Sequence, residues 1–377
     1  MKLQIQTSVL QKKLTFINHA VSSRSQMPIL LNILLKASDG KLTISSTDLE
    51  IGILSVFKSI VTEEGMTTVP AKTFLELVNS LSAEMVSFET KDNSLFVKTT
   101  KTKNVFQTIN ADEFPMLYEE EGSKIATLAQ KSFQKDFGNV LFSASADTGR
   151  PALSGVYMKK EETAEQGGFL LVATDGYRLS LKHYATKAEN GRKETENQKP
   201  LLIPARVFKE ALSIKEDEST IDIFVSTEKN QVLFRCGETT LVGRLIDAQF
   251  PPYERIIPTD HASSVQFDRE EMQKAVKICA IFAREGANII KFTVKKDMIV
   301  VSANSATSGE NTVDVEASLT GEENEIAFNA KYLLDVLGNL EESDLVFEMT
   351  GPLNPGVFKI KDDNTFLHLI MPIRVQA

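Results

Sequence analysis

The segments VPAKTFLELVNSL (69–81), IPARVFKEALSI (203–214) and FNAKYLLDVLGNL (328–340) repeat one pattern along the chain. Each has an apolar residue, then Pro or Asn, then Ala and a basic residue, and after one further residue an amphipathic helix. Aligned on the Pro or Asn, the segments are 134 and 125 residues apart. Short structural repeats have periods of about 20–50 residues, so this spacing predicts three tandem domains and not a solenoid.

Two further landmarks recur at similar spacing. SSTDLEIG around Asp48 returns as VATDGYRL around Asp175, and SANSATSG follows around Asn304. DEFPMLYEE, with Pro115, returns as AQFPPYERI, with Pro251. An aspartate in this position could be a base or a metal ligand, but its recurrence favours a structural Asx-type turn at a strand end.

Each repeat has the same plan of secondary structure. A first helix precedes β-type runs, and the helix quoted above is followed by further strands, which predicts an α+β domain with helices on antiparallel sheet. The apolar residues of the first helices recur every three or four positions and predict one buried stripe each. These residues are Leu10, Leu14, Ile17 and Val21, then Phe133, Phe137, Val140 and Ala144, then Met272, Val276, Cys279 and Phe282. We expect domains at 1–121, 122–250 and 251–377.

Composition excludes several classes of protein. Of the 377 residues, 42% are apolar and 25% charged, which is typical of a globular protein and not of a disordered or collagen-like chain. No apolar run approaches a membrane span, and two cysteines without CxxC spacing favour a reduced cytoplasm. The net charge of −9 argues against nucleic acid, although one face of an acidic protein can still be basic.

The sequence contains no recognisable catalytic or metal-binding motif. His19, His183, His261 and His368 lack metal-ligand spacing, and GxSxG, GxxxxGK[ST] and GxGxxG are absent. We therefore expect no catalytic residue, no metal and no cofactor. A sugar or nucleotide enzyme would need a convergent polar site that the sequence lacks.

Basic residues recur at equivalent places. Lys72, Arg206 and Lys331 share one position in the second helices, and Lys274 and Lys277 lie off the apolar stripe of a first helix. Any one lysine is most simply a solvated residue. Recurrence in all three repeats instead favours one basic surface that contacts phosphates without reading sequence. A scaffold of α+β repeats unrelated to DNA stays an alternative, and it would show no DNA-length-dependent retention.

Motifs along the whole chain resemble the bacterial sliding-clamp family, the β subunits of DNA polymerase III. They are MKLQIQ at the start, Arg24 before MPIL, STDLE (46–50), TVPAK (68–72), DEFP (112–115), GRPALSGV (149–156), VATDGYRLSL (172–181), LIDAQFPPYERIIP (245–258), FNAKYLLDVL (328–337) and MPIR (371–374). The resemblance implies a head-to-tail dimeric ring of six domains, with helices around a central hole and sheets outside. It also implies a non-enzymatic clamp that encircles duplex DNA and tethers the replicative polymerase.

The resemblance implies three sets of site residues. DNA contacts are expected at Arg24, in the polar loop SSRSQ, and at Lys72, Arg150, Arg206, Lys209, Lys274, Lys277 and Lys331. Short peptides of the polymerase, the clamp loader and repair polymerases are expected at Arg150, Leu153, Thr174, Gly176, Tyr177, Arg178, Leu179, Pro251, Arg255, Ile256, Leu353, Met371, Pro372, Ile373 and Arg374. The homodimer contact is expected at Phe106, Ile281 and Phe282.

The chain departs from the family pattern in its peptide site. Tyr177 stands where many members have His, Val375 stands where Leu is common, and Gln376 and Ala377 extend the terminus. These differences bear on which peptides bind. Leu153, Leu179 and Ile256 could also be plain core residues.

Overall fold

The computed structural model describes residues 1–116, 121–162, 167–185, 199–216, 218–285 and 287–374. Its α-helices are α1 (Thr7–Ile17), α2 (Ala71–Ser80), α3 (Gln130–Leu141), α4 (Ala205–Leu212), α5 (Arg269–Ala283) and α6 (Ala330–Asn339). The strands of the first half are β1 (Lys2–Gln6), β2 (Asn32–Ser38), β3 (Lys41–Thr47), β4 (Ile51–Lys58), β5 (Ile60–Glu63), β6 (Gly65–Pro70), β7 (Met85–Lys91), β8 (Ser94–Lys98), β9 (Lys103–Gln107), β10 (Ser123–Ala129), β11 (Gly155–Glu162), β12 (Gly167–Thr174) and β13 (Arg178–Ala185). The remaining strands are β14 (Leu201–Pro204), β15 (Thr220–Ser226), β16 (Gln231–Cys236), β17 (Thr239–Arg244), β18 (Ser263–Asp268), β19 (Ile289–Lys295), β20 (Met298–Ser305), β21 (Gly309–Gly321), β22 (Asn324–Asn329), β23 (Asp344–Met349), β24 (Gly356–Ile360) and β25 (Asp363–Ile370).

The predicted helical stripes are buried almost as expected. Leu10, Leu14 and Ile17 are buried on α1, and corresponding side chains are buried on α3 and α5. Val21 and Ala144 lie beyond the ends of their helices, so these two stripes were predicted one turn too long. The amphipathic spacing continues past the point where the backbone leaves the helix, and spacing alone does not mark that point.

The second helices begin directly after a strand. Pro70 ends β6 and Pro204 ends β14, so each proline lies one residue before its helix. Asn329 holds the same position before α6, and its side chain accepts a hydrogen bond of 2.9 Å from the backbone N–H of Lys331. A proline just before a helix removes no helical hydrogen bond. An asparagine at the same position caps the helix, because its side chain accepts a hydrogen bond from a free N–H of the first turn.

Contacts divide the chain into two compact units. Unit 1 contains Met1–Phe133 and Arg206–Leu245, and unit 2 contains Gln134–Ala205 and Ile246–Ala377. Unit 1 holds a five-stranded sheet, β5-β1-β7-β8-β9, and an eight-stranded sheet, β10-β15-β16-β17-β4-β3-β2-β6. Unit 2 holds a twelve-stranded sheet, β14-β11-β12-β13-β25-β24-β23-β18-β21-β20-β19-β22. The middle repeat contributes strands to both large sheets, so the predicted three-domain boundaries stay a prediction.

Two strand pairs join neighbouring repeats inside these sheets. In unit 1, Ile51 of β4 pairs with Gly243 of β17. In unit 2, Arg178 of β13 pairs with Ile370 of β25 in the same antiparallel sense. Each pair lies beside one of the recurring turns that begin with Thr47–Asp48 and Thr174–Asp175, which we call the TD turns. The sheet therefore holds each TD turn at a junction between repeats.

Candidate functional sites

The eight predicted DNA-contact residues are all exposed on the structure. Lys72, Arg206 and Lys331 are each the second residue of a helix, α2, α4 and α6 respectively. Lys209 follows on α4, and Lys274 and Lys277 lie on the exposed side of α5. Arg24 lies in the bend before Pro28, and Arg150 precedes the short helix Pro151–Leu153.

Two of these cations are already paired with carboxylates. Nη1 of Arg206 lies 2.6 Å from Oδ2 of Asp48 and 3.6 Å from a carboxylate oxygen of Glu50. Nε of Arg150 donates to Asp147 over 3.2 Å. Asp48 therefore offsets the charge of Arg206, and the DNA contact predicted for Arg206 stays a prediction. Among the described residues, Arg24, Lys72, Lys209, Lys274 and Lys331 have no ion-pair partner.

The TD turns are structural, as predicted. Oδ1 of Asp175 accepts hydrogen bonds from the backbone N–H groups of Tyr177, at 2.9 Å, and of Arg178, at 3.1 Å. Asp48 makes the same two bonds in unit 1, with N–H groups of Glu50 and Ile51 at 3.0 Å each. Gly176, at the third position of its turn, has a φ of 93°, which glycine adopts without strain. The turn in unit 2 therefore holds Tyr177 out from the sheet.

Arg178 is buried, and its assignment as a peptide contact stays a prediction. Its guanidinium bonds Asp175 through Nε at 3.1 Å and Asp335 through Nη1 at 2.5 Å. It also lies 4.7 Å from the ring centre of Tyr332 and 5.7 Å from that of Phe142. Through these contacts Arg178 supports the TD turn.

Thr174 and Leu179 are also inside the protein. The hydroxyl of Thr174 donates to the carbonyl of Arg178 over 2.6 Å, and Leu179 belongs to a buried cluster with Tyr253 and Leu369. The alternation of β13 turns Leu179 into the core, and the predicted contact of both residues with peptide stays a prediction. The alternative that Leu179 is a core residue is thus confirmed, whereas Ile256 is exposed.

The other peptide-site residues leave apolar side chains in solvent. Among the described residues of unit 2, six large apolar side chains are exposed, and four of them are Tyr177, Ile256, Leu353 and Met371. We call these four residues of the predicted peptide site the Tyr177 groove. Leu153, Pro251, Pro372 and Ile373 are half-buried, and Arg255 and Arg374 are exposed cations. Isolated apolar residues on a surface are ordinary, whereas apolar residues gathered at one place mark binding sites.

Backbone contacts bring parts of the Tyr177 groove together. The N–H of Met371 donates to the carbonyl of Tyr177 over 2.8 Å, and the N–H of Ile373 donates to Ala327 over the same distance. A side-chain carbon placed on Gly176 would lie 3.8 Å from Nη1 of Arg150. Strand β25 ends at Ile370, two residues before Pro372, which cannot donate a ladder hydrogen bond, and 371–374 run along the surface. Val375, Gln376 and Ala377 lie outside the described residues.

The predicted dimer residues differ in exposure. Ile281 is 63% exposed on α5, whereas Phe282 is half-buried against the core. Phe106 is buried and packs edge-on against Phe74 at 5.8 Å, so it is not a free apolar side chain, contrary to what its assignment implied. Its neighbour Val105 is exposed on β9, which is an edge strand of the five-stranded sheet.

Helix α5 carries a second exposed apolar residue beside Ile281 that was not among the predicted interface residues. Ile278 is exposed three positions earlier on α5, and that spacing places both side chains on one face. The signal was present in the sequence as a second apolar row outside the stripe of Met272, Val276 and Cys279. Asp335 and Tyr332, which hold Arg178, carried no such local signal.

In the described part of the chain, no three His, Cys, Asp or Glu side chains converge as a metal ion would require. No helix there is both long and apolar enough to cross a membrane. His368 is buried, with Nδ1 2.8 Å from Oγ of Ser180, and burial and the Arg178 charge hold its pKa well below the ordinary value.

Comparison with known proteins gives three consecutive family matches. Residues 1–118, 127–252 and 254–374 match the N-terminal, central and C-terminal domains of the DNA polymerase III beta subunit. The beta sliding clamp of Caulobacter vibrioides is 30% identical over 383 residues, covering all of both chains. The chain belongs to the bacterial beta sliding clamp family. The clamp of Bacillus subtilis is also 30% identical, over 99% of this chain and all of its own.

Solved clamp structures have the same fold. The crystal structure of the Bacillus subtilis sliding clamp superposes with a TM-score of 0.91 at 28% identity, covering all of both chains. That of the C. crescentus clamp, crystallised with polyethylene glycol, also gives 0.91 at 29% identity over 100% of this chain and 99% of its own. The predicted three-domain clamp fold is therefore confirmed. Clamps of this family are processivity factors for DNA replication and not catalytic subunits.

Proposed function

We propose that two copies of this clamp close head to tail around duplex DNA, and that cations at the helix starts contact its phosphates. The observation that carries this proposal is the position of Lys72, Arg206 and Lys331. Each is the second residue of its helix, and the first turns of all three helices contain no acidic residue. A cation at a helix N-terminus opposes the helix dipole. Its recurrence in three repeats therefore needs a cause outside the helix, and an anionic backbone supplies one.

The contact with DNA is electrostatic and independent of base sequence. Lysine and arginine side chains that reach phosphates position a duplex without reading its bases. Lys72 and Lys331 have no carboxylate partner among the described residues, whereas Arg206 shares its charge with Asp48. The net charge of −9 keeps the rest of the surface from collecting nucleic acid, so binding depends on encirclement more than on affinity. We place this activity in the cytoplasm.

The Tyr177 groove receives short peptides of the polymerase, the clamp loader and repair polymerases. Its exposed apolar side chains are held by a rigid turn on one side and by the 371–374 segment on the other. Met371 adapts to different side chains because its thioether is flexible. Arg255 and Arg374, which have no ion-pair partner among the described residues, suit acidic residues beside the apolar anchor.

The second copy binds through α5. Ile278 and Ile281 form an exposed apolar pair at its C-terminal half, and the edge strand β9 of another copy offers unpaired backbone groups next to Val105. Packing this apolar helix face against the open strand edge removes both the apolar side chains and the unpaired backbone groups from water. Phe106 supports β9 from inside through Phe74.

Primer extension on circular single-stranded template, with the polymerase and loader of the same organism, tests the proposal. The clamp should lengthen the products of single binding events. Met371→Ala with Pro372→Ala should weaken a polymerase-derived clamp peptide and shorten the products, with an unchanged melting temperature. Wild-type peptide affinity in this variant would show that the 371–374 segment is not part of the peptide site. A sharply lowered melting temperature would show that the segment instead covers the hydrophobic core.

A further inference from the structure

Unit 1 contains a cleft that the proposed function does not use. Its volume is about 160 Å³, and Leu49, Pro115, Met116, Val242 and Arg244 are among the residues that line it. We call it the Leu49 cleft. It lies beside the TD turn of Asp48, where β4 pairs with β17.

The Leu49 cleft and the Tyr177 groove are related by the internal repeat. In both turns the threonine hydroxyl donates to the carbonyl four residues later, from Thr47 over 2.8 Å and from Thr174 over 2.6 Å. In both, a residue at the end of the neighbouring strand donates its N–H to the turn: Arg244 is the last residue of β17, and Met371 directly follows β25. Arg244 donates to Glu50 over 3.0 Å, as Met371 does to Tyr177 over 2.8 Å. The same backbone frame is therefore built twice.

The side chains of the Leu49 cleft suit an apolar anchor with an acidic neighbour. Leu49 is 54% exposed and Met116 is 76% exposed, so both present apolar surface at the rim. Arg244 is exposed and has no ion-pair partner among the described residues, and Lys229 is a second cation of the lining. Glu50, the acidic lining residue, lies 3.6 Å from Nη1 of Arg206, a cation that it shares with Asp48.

We propose that the Leu49 cleft is a second docking site, for a short peptide in which one leucine-sized side chain adjoins a carboxylate. The apolar side chain occupies the space between Leu49 and Met116, and the carboxylate bonds the guanidinium of Arg244. This proposal rests on the proposed peptide docking at the Tyr177 groove, because the two TD turns share the same backbone hydrogen bonds. It adds a site with different side chains and so a different peptide preference.

Methionine methyl NMR on the full chain separates the two sites, because Met116 reports the cleft and Met371 the groove. The probe is a short synthetic peptide with one leucine between two aspartates. Matched control peptides carry serine for the leucine or lysines for the aspartates. Signals are assigned by Met116→Leu and Met371→Leu. We expect the probe to move the Met116 signal in a saturable way, and neither control peptide to do so.

Variants then test the contacts. Arg244→Gln should weaken the Met116 response by about tenfold, the effect of one lost charge-assisted hydrogen bond, and leave the Met371 response to a clamp peptide unchanged. Leu49→Asp should abolish the Met116 response. A Met116 signal that stays still, or that moves equally with all three peptides, would overturn the proposal. If a clamp peptide fails to move the Met371 signal while the probe still moves the Met116 signal, the result would count against the proposed function of the Tyr177 groove and not against the Leu49 cleft.

Discussion

The guanidinium of Arg178 on β13 lies 2.5 Å from the carboxylate of Asp335 on α6. The same guanidinium bonds Asp175, whose other oxygen holds the backbone of Tyr177. One buried arginine thus connects the turn that presents Tyr177 with the helix whose second residue is Lys331. The peptide surface and a proposed DNA contact share this support.

Replacing Arg178 with Ala should lower both stability and peptide affinity. It leaves Asp175 and Asp335 without their cation, and breaking a buried pair costs about 3–5 kcal/mol; the low end is expected because Asp335 is partly exposed. Urea unfolding and peptide titration measure the two effects. Arg374→Ala, on the surface, is the matched control and should reduce only peptide affinity. Unchanged unfolding of Arg178→Ala would show that the pair does not support the turn.

Charge reversal at the helix starts should reduce the salt dependence of DNA binding. Each phosphate contact contributes about 0.9 to the slope of log affinity against log salt concentration, so reversing Lys72 and Lys331 should remove nearly twice that. Arg206→Gln should change the slope less, because Asp48 already offsets that charge. Equilibrium binding to a short duplex over a salt series provides the measurement. Equal slopes for wild type and the Lys72 and Lys331 variant would contradict the proposed contacts.

Replacing Ile278 and Ile281 with Asp should open the ring. Both side chains are exposed in the isolated chain, so the substitutions cost the fold little but place two charges in the proposed interface. Sedimentation at sub-micromolar concentration should give a monomer with wild-type circular dichroism. Lys274→Ser, on the same helix, should remain a dimer. A dimer of undiminished stability in the Ile278 and Ile281 variant would exclude α5 from the interface.

Acidification should destabilise the clamp through His368. Its folded-state pKa lies well below the ordinary value of about 6.5, because burial disfavours the imidazolium and Arg178 repels it. Above pH 6.5 the residue is neutral in both states and contributes no pH dependence. Below that pH the unfolded chain binds the proton first, so stability falls by at most about 1.4 kcal/mol per pH unit. Urea unfolding between pH 7 and 5 should show a shallower fall for His368→Gln. Identical pH profiles would exclude His368 as the source.

Local pattern predicted the parts of this structure that local physics determines. The helical stripes, the TD turns and the end of β25 just before Pro372 follow from spacing and from residue-specific backbone chemistry. The burial of Arg178 did not, because its partner Asp335 is 157 residues away and nothing near Arg178 in sequence indicates an ion pair. Phe106 was likewise misjudged, since an alternating strand does not reveal which of its faces is covered by Phe74.

Retention on circular DNA tests the proposed encirclement most directly. The clamp is loaded onto a nicked circular plasmid, separated from free protein by gel filtration at moderate salt, and separated again after the plasmid is cut once by a restriction enzyme. We predict that the clamp co-elutes with the circle and is lost from the linear DNA, because a ring with weak phosphate contacts slides off a free end. Equal retention on circular and linear DNA would contradict encirclement, as would failure to remain on the circle.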